Sequence, residues 1–179
     1  MKRTLLKFEN IQQVIGSDDI SVVQLTDEER KRSLSIVCDE QMTRQIMLRL
    51  QSPDKCSMLL PETLIQMLPG KYEMMIYGLH DGQYQVVLAD SEFVRNVRIR
   101  ISDAVLLSII ADYPLYIEES LMQQQSAPFK ANARGVAIPI NTIDRQRLNM
   151  VLQNAIEEEN YEFASQVRDE IKRRSKSEK

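Results

Sequence analysis

The run Arg98-Ile99-Arg100-Ile101-Ser102-Asp103 sets two guanidiniums two residues apart, followed by a hydroxyl and a carboxylate. Residues two apart share one face of an extended strand. Arg98 and Arg100 are therefore expected on one side, and Val97, Ile99 and Ile101 on the other, toward the core. The stretch that follows, starting at Asp103, reads as a helix with Ser102 as its N-cap. Guanidiniums beside a helix N-terminus can seat a phosphate, because their planar forks match its oxygens and the first-turn N–H groups point outward. On that reading Arg98, Arg100 and Ser102 are phosphate-binding residues. A plain structural reading stands beside it: Ser102 caps the helix, Asp103 complements its dipole, and the arginines form a solvated sheet face.

Other chemistry-bearing residues are sparse. His80 is the only histidine in 179 residues, which excludes a His-rich metal site and limits any Ser-His-Asp triad to that one residue. It reads as an exposed turn residue, with an acid or base role as the alternative. Cys38 and Cys56 have neither the number for a disulfide scaffold nor the spacing for a zinc knuckle, and are expected as free thiols. Asp39, Glu40, Asp81, Asp90, Glu118 and Glu119 are scattered, and spacing alone assembles no ligand set among them. The net charge of −3 gives the chain no global attraction for nucleic acid or an anionic membrane, so any such contact must be local. With 43% hydrophobic residues, nine methionines and no tryptophan, the core is expected to be aliphatic and Met-filled.

The elements that must position these residues fall into two textures. From about residue 4 to 122, strand-like runs alternate with helical ones. Ile20–Leu25 and Ser33–Val37 read as strands joined by a charged turn. Asp39 is a candidate cap for a helix over Glu40–Leu50, and Pro61 fits the start of a short helix ending at Pro69-Gly70. Asp81-Gly82, between Tyr72–Leu79 and Gln83–Ala89, is a type I′ hairpin signal. A strand over Phe93–Ile101, the helix to Tyr113, a strand at Leu115–Glu119 and a short helix at Ser120–Gln125 follow. The order predicts an α+β domain over 1–122 with a mostly antiparallel or mixed sheet and packed helices. Residues 123–141 read as a linker, and 142–179 as a small αα-hairpin and tail. In that hairpin Leu148, Val151, Leu152, Ala155 and Ile156 form one stripe, Asn160 caps the second helix, and Ala164, Val167 and Ile171 form another. No Gly-rich nucleotide loop, signal peptide or membrane span is written in the sequence, which reads as cytoplasmic with no membrane partner.

Leu148, Leu152, Ala155, Ile156 and Glu159, then Asn160-Tyr161-Glu162 with Ala164, then Val167-Arg168-Asp169 and Ile171, resemble the UVR motif of the UvrB and UvrC excision-repair proteins, also found in Clp-type ATPases and their adaptors. The resemblance implies a protein-interaction hairpin with Tyr161, Glu162, Arg168 and Asp169 toward the partner; Arg168 and Asp169 also read as a solvated ion pair. The first part resembles the bifunctional nuclease family. Arg32-Ser33-Leu34-Ser35-Ile36, the helix Gln41–Leu50, the Leu79-x-Asp81-Gly82 turn, Arg100-Ile101-Ser102-Asp103-Ala104 and Pro114-Leu115-Tyr116-Ile117 carry that likeness. Two stretches depart from the family pattern. Its Asp-Ala-Arg-Pro-Ser-Asp-Ala runs here as Arg98-Ile99-Arg100-Ile101-Ser102-Asp103-Ala104, and its His-Asp pair falls at Pro61-Glu62.

The resemblance implies a hydrolase acting on DNA or RNA phosphodiesters with a divalent metal such as Mg or Mn. Arg98 and Arg100 would hold phosphate, and Asp103 with Arg100 would form the catalytic pair. The substituted positions carry the alternative: a non-catalytic adaptor or oligomerising module that recruits a repair or proteolysis partner through the hairpin. Met- and Ile-rich strands and a tail with little to cover it lead to the expectation of a homo-oligomer.

Overall fold

The computed structural model describes residues 2–13, 20–68, 70–90, 94–131 and 138–177. In chain order they form β1 (Arg3–Gln13), β2 (Ile20–Asp27), β3 (Arg32–Asp39), α1 (Glu40–Gln51), α2 (Leu60–Met67), β4 (Tyr72–His80), β5 (Gln83–Asp90), β6 (Asn96–Ile99), α3 (Ile101–Ala111), β7 (Leu115–Glu118), α4 (Glu119–Gln125), β8 (Ala127–Pro128), α5 (Arg145–Glu157) and α6 (Tyr161–Ser177). The strands make one sheet in the order β6-β5-β4-β7-β1-β2-β3-β8. It is mixed: β4 and β7 run parallel, while β1 pairs antiparallel with both β2 and β7. The expected α+β class with a helical pair at the C-terminal end is what the chain adopts.

The chain divides into two compact units. The first is Met1–Gly78 with Tyr84–Ala137; the second is Ile138–Lys179 together with the hairpin tip Leu79–Gln83. In the first, Leu25, Leu34, Ile36, Ile46, Met74, Ile76, Leu115 and Ile117 are fully enclosed. This core is aliphatic as expected, although Met58, Met67 and Met150 lie outside any core. β1 and the short β8, which falls in the stretch expected as a linker, have no counterpart among the expected strands. Lys7, Glu9 and Asn10 break the apolar run of β1, and its register slips between Phe8 and Asn10. It is nonetheless central, because hydrogen bonding on both edges satisfies its backbone.

Local chemistry explains the joints. Asp27 accepts hydrogen bonds from the Lys31 and Arg32 amides (2.7 and 3.1 Å), closing the charged turn between β2 and β3. Asp39 accepts from the Met42 amide at 2.7 Å and starts α1 as expected. Only Met42, Ile46 and Arg49 are buried on α1, and Leu50 is exposed.

In the second unit, α5 and α6 pair as an antiparallel hairpin with Leu148, Ala155, Ala164 and Val167 buried. Asn160 accepts from the Phe163 amide at 3.3 Å as the cap of α6. At the hairpin tip, Asp81 and Gly82 take φ of 51° and 80°, the paired left-handed conformation of a type I′ turn. A Cβ at Gly82 would lie 2.7 Å from the Ile143 carbonyl oxygen, so only glycine fits that approach.

Candidate functional site

The β6–α3 junction differs from the expected geometry in two respects. β6 is an edge strand four residues long, paired only with β5 and placing Arg98 opposite Val87. With no strand beyond it and little covering it, Val97 is 56% exposed instead of facing the core. The helix also begins earlier. Ile101 is its first residue and Arg100 its cap, with the Ala104 amide donating to the Arg100 carbonyl at 3.0 Å. Ser102 is therefore the second helical residue and not the N-cap. It remains in the first turn, where N–H groups have no helical partner.

Arg98 and Arg100 both stand exposed at this junction. Arg100 does not stand alone. Its Nε and Nη2 donate to the two oxygens of Asp103 at 2.9 and 3.0 Å, a bidentate pair across one helical turn. Those hydrogen bonds, and a weaker attraction from Asp39, raise the Arg100 pKa.

The arrangement is a short basic ledge, Arg98 and Arg100, with one carboxylate, Asp103, in the Arg100 fork. It can hold a phosphate if the Arg100 fork shares or leaves Asp103. A metal fits it poorly. Among the described residues no three His, Cys, Asp or Glu side chains converge. Mg²⁺ needs at least one or two carboxylates free to coordinate, and both Asp103 oxygens are engaged by Arg100. Pro61-Glu62, the other departure from the pattern the first part resembles, is also closed. Glu62 lies against Arg49, with Nη2 donating to Oε2 at 2.9 Å and Nε 2.7 Å from Oε1. Both side chains are nearly enclosed, and Arg49 also donates to the carbonyl and side-chain oxygens of Gln45. Glu62 thus serves to fasten α2 to α1.

His80 is exposed, as the turn reading predicts, and lines a cleft of about 180 Å³ with Asp81, Asn141, Arg173 and Arg174. A larger cleft of about 390 Å³ in the first unit holds the Tyr72–Tyr113 ring pair. Cys38 and Cys56 are buried thiols that form no disulfide. On the second unit, Tyr161, Glu162, Arg168 and Asp169 are all exposed. Arg168 donates to Asp169 at 3.3 Å and to Ser165 at 3.0 Å, the geometry of a solvated surface pair. The buried group on this hairpin is one the sequence reading did not single out. Arg174 continues the Ala164, Val167, Ile171 stripe at helical spacing and is 5% exposed. It donates to Glu170 at 2.8 Å and to the Ile143 and Asn141 carbonyls at 2.8 and 3.0 Å.

A family model described as the bifunctional nuclease domain matches residues 23–130, and one described as the UvrB/uvrC motif matches residues 152–176, in the order the resemblance implies. No curated protein matches the chain. Among the described residues no helix is long and apolar enough to cross a membrane.

Proposed function

The chain belongs to the bifunctional nuclease domain family, and from that premise we propose that its first unit acts on DNA or RNA phosphodiesters at the β6–α3 junction, while its UvrB/uvrC-type hairpin binds a protein partner. The observation that carries the site is the pair of exposed guanidiniums, Arg98 and Arg100, beside the free N–H groups of the α3 first turn, where Ser102 sits. An incoming phosphate competes with Asp103 for the Arg100 fork. As Arg100 turns to the phosphate, the Asp103 carboxylate is released beside it. Water then attacks phosphorus, Asp103 takes the water proton, the P–O bond to the leaving oxygen breaks, and solvent protonates that oxygen. Arg100 offsets the charge that gathers on the phosphoryl oxygens. A divalent ion such as Mg²⁺ or Mn²⁺ is the cofactor that the family likeness implies, although no three His, Cys, Asp or Glu side chains among the described residues converge to hold it. On the hairpin, the partner contacts are Tyr161, Glu162, Arg168 and Asp169.

The test is cleavage of single-stranded and duplex DNA and RNA by the full chain with Mg²⁺, with Mn²⁺ and with chelator. Arg100→Ala and Asp103→Asn should each lower the rate by about 100-fold or more. Cleavage that survives both substitutions overturns the site. A specific observation favours a second reading: the Arg100–Asp103 pair is closed. A closed pair suits a non-catalytic adaptor, in which the α+β domain binds and the hairpin recruits. That reading gains if no nucleic acid is cut under any condition and partner binding fails in a Tyr161→Ala, Arg168→Ala double variant.

A further inference from the structure

The chain is poor in aromatic side chains, with six tyrosines, four phenylalanines and no tryptophan. Two of the tyrosines are set against each other outside the core. Tyr72 opens β4 and Tyr113 follows α3, and their ring centroids lie 5.5 Å apart with the planes tilted by 44°. The pairing of two central parallel strands brings them together. Met74 pairs with Leu115, and the Met74 amide donates to the Pro114 carbonyl at 2.8 Å, so the residues just before these positions emerge side by side. Both rings are half-buried, and they line the cleft of about 390 Å³ together with Lys71, Glu73 and Asp112. That volume falls within the ~300–1,000 Å³ of small-molecule sites. Gly70 borders the same cleft with φ of 131°, a conformation suited to glycine, so the wall there carries no side chain.

The lining restricts what fits. Glu73 is held by Arg3, whose guanidinium also lies 3.9 Å over the Tyr116 ring. Lys71 and Asp112 are exposed, one charge of each sign. An anion in the cleft meets the Asp112 carboxylate and a cation meets the Lys71 ammonium, so neither sign is favoured. A neutral, flat ligand is favoured, because it can stack on the rings while donors and acceptors along its edge meet the polar groups around it. Burial, and then the neighbouring Tyr72, raise the Tyr113 pKa, so its hydroxyl keeps its proton at neutral pH and remains a donor. A nucleobase has this shape and this chemistry. The basic ledge of Arg98 and Arg100 stands at the opposite end of α3 from Tyr113. The 11 residues of α3 span ~16 Å. A stacked strand advances ~3.4 Å per nucleotide, so about five nucleotides or fewer bridge the two ends of the helix. A duplex keeps its bases in the stack, whereas a single strand can turn one out onto aromatic side chains.

We propose that the Tyr72–Tyr113 cleft holds one unpaired base of a single-stranded nucleic acid bound by the first unit. The inference rests on the reading of that unit as acting on nucleic acid, and it names the substrate class: single strands in preference to duplex. The rings supply stacking, which tolerates any base, and the ledge supplies the salt-dependent contact to the backbone.

The experiment is equilibrium binding of the full chain, over a salt series, to labelled single-stranded DNA and RNA 12-mers, to a DNA backbone of the same length without bases, and to the matching DNA duplex. For wild type, removing the bases should weaken binding by about 10-fold or more at an unchanged salt slope. Tyr72→Ala and Tyr113→Ala should each weaken single-strand binding by about 10-fold and leave duplex binding unchanged. Tyr113→Phe keeps the ring and should stay within about threefold of wild type. Tyr77, an exposed tyrosine further along β4 and outside the cleft, is the control, and Tyr77→Ala should change nothing. Equal affinity for strands with and without bases overturns the proposal, and that comparison needs no variant. So does single-strand binding that survives both tyrosine-to-alanine changes, or a loss that falls equally on the duplex. Arg100→Ala separates the cleft from the ledge. Binding weakened by the tyrosine changes but not by Arg100→Ala keeps the cleft and removes the ledge. The reverse result keeps the ledge and removes the cleft. A chain that binds none of these nucleic acids removes both.

Discussion

At the start of α3, Arg100 grips Asp103 three residues on, with the arginine side chain 80% exposed. Near the end of α6, Arg174 grips Glu170 four residues back, with the two side chains 5% and 11% exposed. In sequence the two pairs are written alike, as an arginine and an acid at helical spacing. Their surroundings make them different objects. Water screens the first pair, so it holds little folding energy and its guanidinium can be taken by another anion. The second is withdrawn from water, and its remaining donors are met by the Ile143 and Asn141 carbonyls. Its charge cannot be released without leaving buried polar groups unpaired. Spacing proposes an ion pair; burial decides whether it is available for chemistry or committed to structure.

Removing the committed arginine should have the largest effect. Arg174→Ala leaves the Glu170 carboxylate and two backbone carbonyls short of a donor and truncates the last buried position of the α6 stripe. Arg173 still holds Glu170, so the expected cost to the second unit is ~2–3 kcal/mol, from the buried carbonyls left without a donor and the packing of the lost stem. Hydrogen exchange along α5 and α6 should show the loss. An Arg174→Ala chain whose α6 amides stay protected to within about tenfold of wild type would show that the two pairs do not differ as burial implies.

A smaller effect should appear with pH. Hydrogen bonds from Arg173, and then from Arg174, hold the Glu170 pKa below its ordinary value of 4.5, against the opposing effect of burial. A carboxylate whose folded pKa is depressed binds protons more readily when unfolded. Its contribution is therefore complete above the ordinary value and is lost as pH falls through the depressed one. The second unit should lose stability as the solution is acidified below about pH 4.5, and Glu170→Gln should flatten that part of the profile. Denaturant midpoints of the α5–α6 region across the acid range measure it. Equal acid sensitivity in wild type and Glu170→Gln would remove this carboxylate from the account.

How far these differences could be read in advance depends on how local their causes are. The type I′ turn at Asp81-Gly82 and the caps at Asp39 and Asn160 depend on a few neighbouring residues, and they form as read. β1 is built by partners on both edges that lie far along the chain, so its broken apolar pattern conceals a central strand. Ser102 has the side chain of an N-cap, but the helix starts at Ile101, and Arg100 spans the first turn to Asp103. Val97 looks like a core residue by alternation, but an edge strand with an uncovered face gives alternation nothing to bury. At the candidate site the arginines were legible as a pair. The closed fork of Arg100 on Asp103 was not, because it depends on α3 starting at Ile101 with Arg100 as its cap. Arg174 was legible in principle: it is the one charged residue that continues an otherwise apolar stripe.

The smallest expected effect on folding is at Arg100, and its smallness is informative. Arg100→Ala removes a bidentate contact, yet both partners are open to solvent and Asp103 regains water in exchange. The stability of the first unit should stay within ~0.5 kcal/mol of wild type, as for other exposed pairs. Denaturant unfolding followed in the sheet measures this. Binding should respond differently. If Arg100 is free to leave Asp103 for a phosphate, Arg100→Ala should weaken nucleic-acid binding and reduce its salt dependence by about one released counterion. Arg100→Lys should retain the charge but lose the fork, giving an intermediate affinity with nearly the original salt slope. A measurable loss of stability with no change in binding would make Arg100 a structural residue like Arg174, and the distinction between an available and a committed arginine would fail at the place where it matters for function.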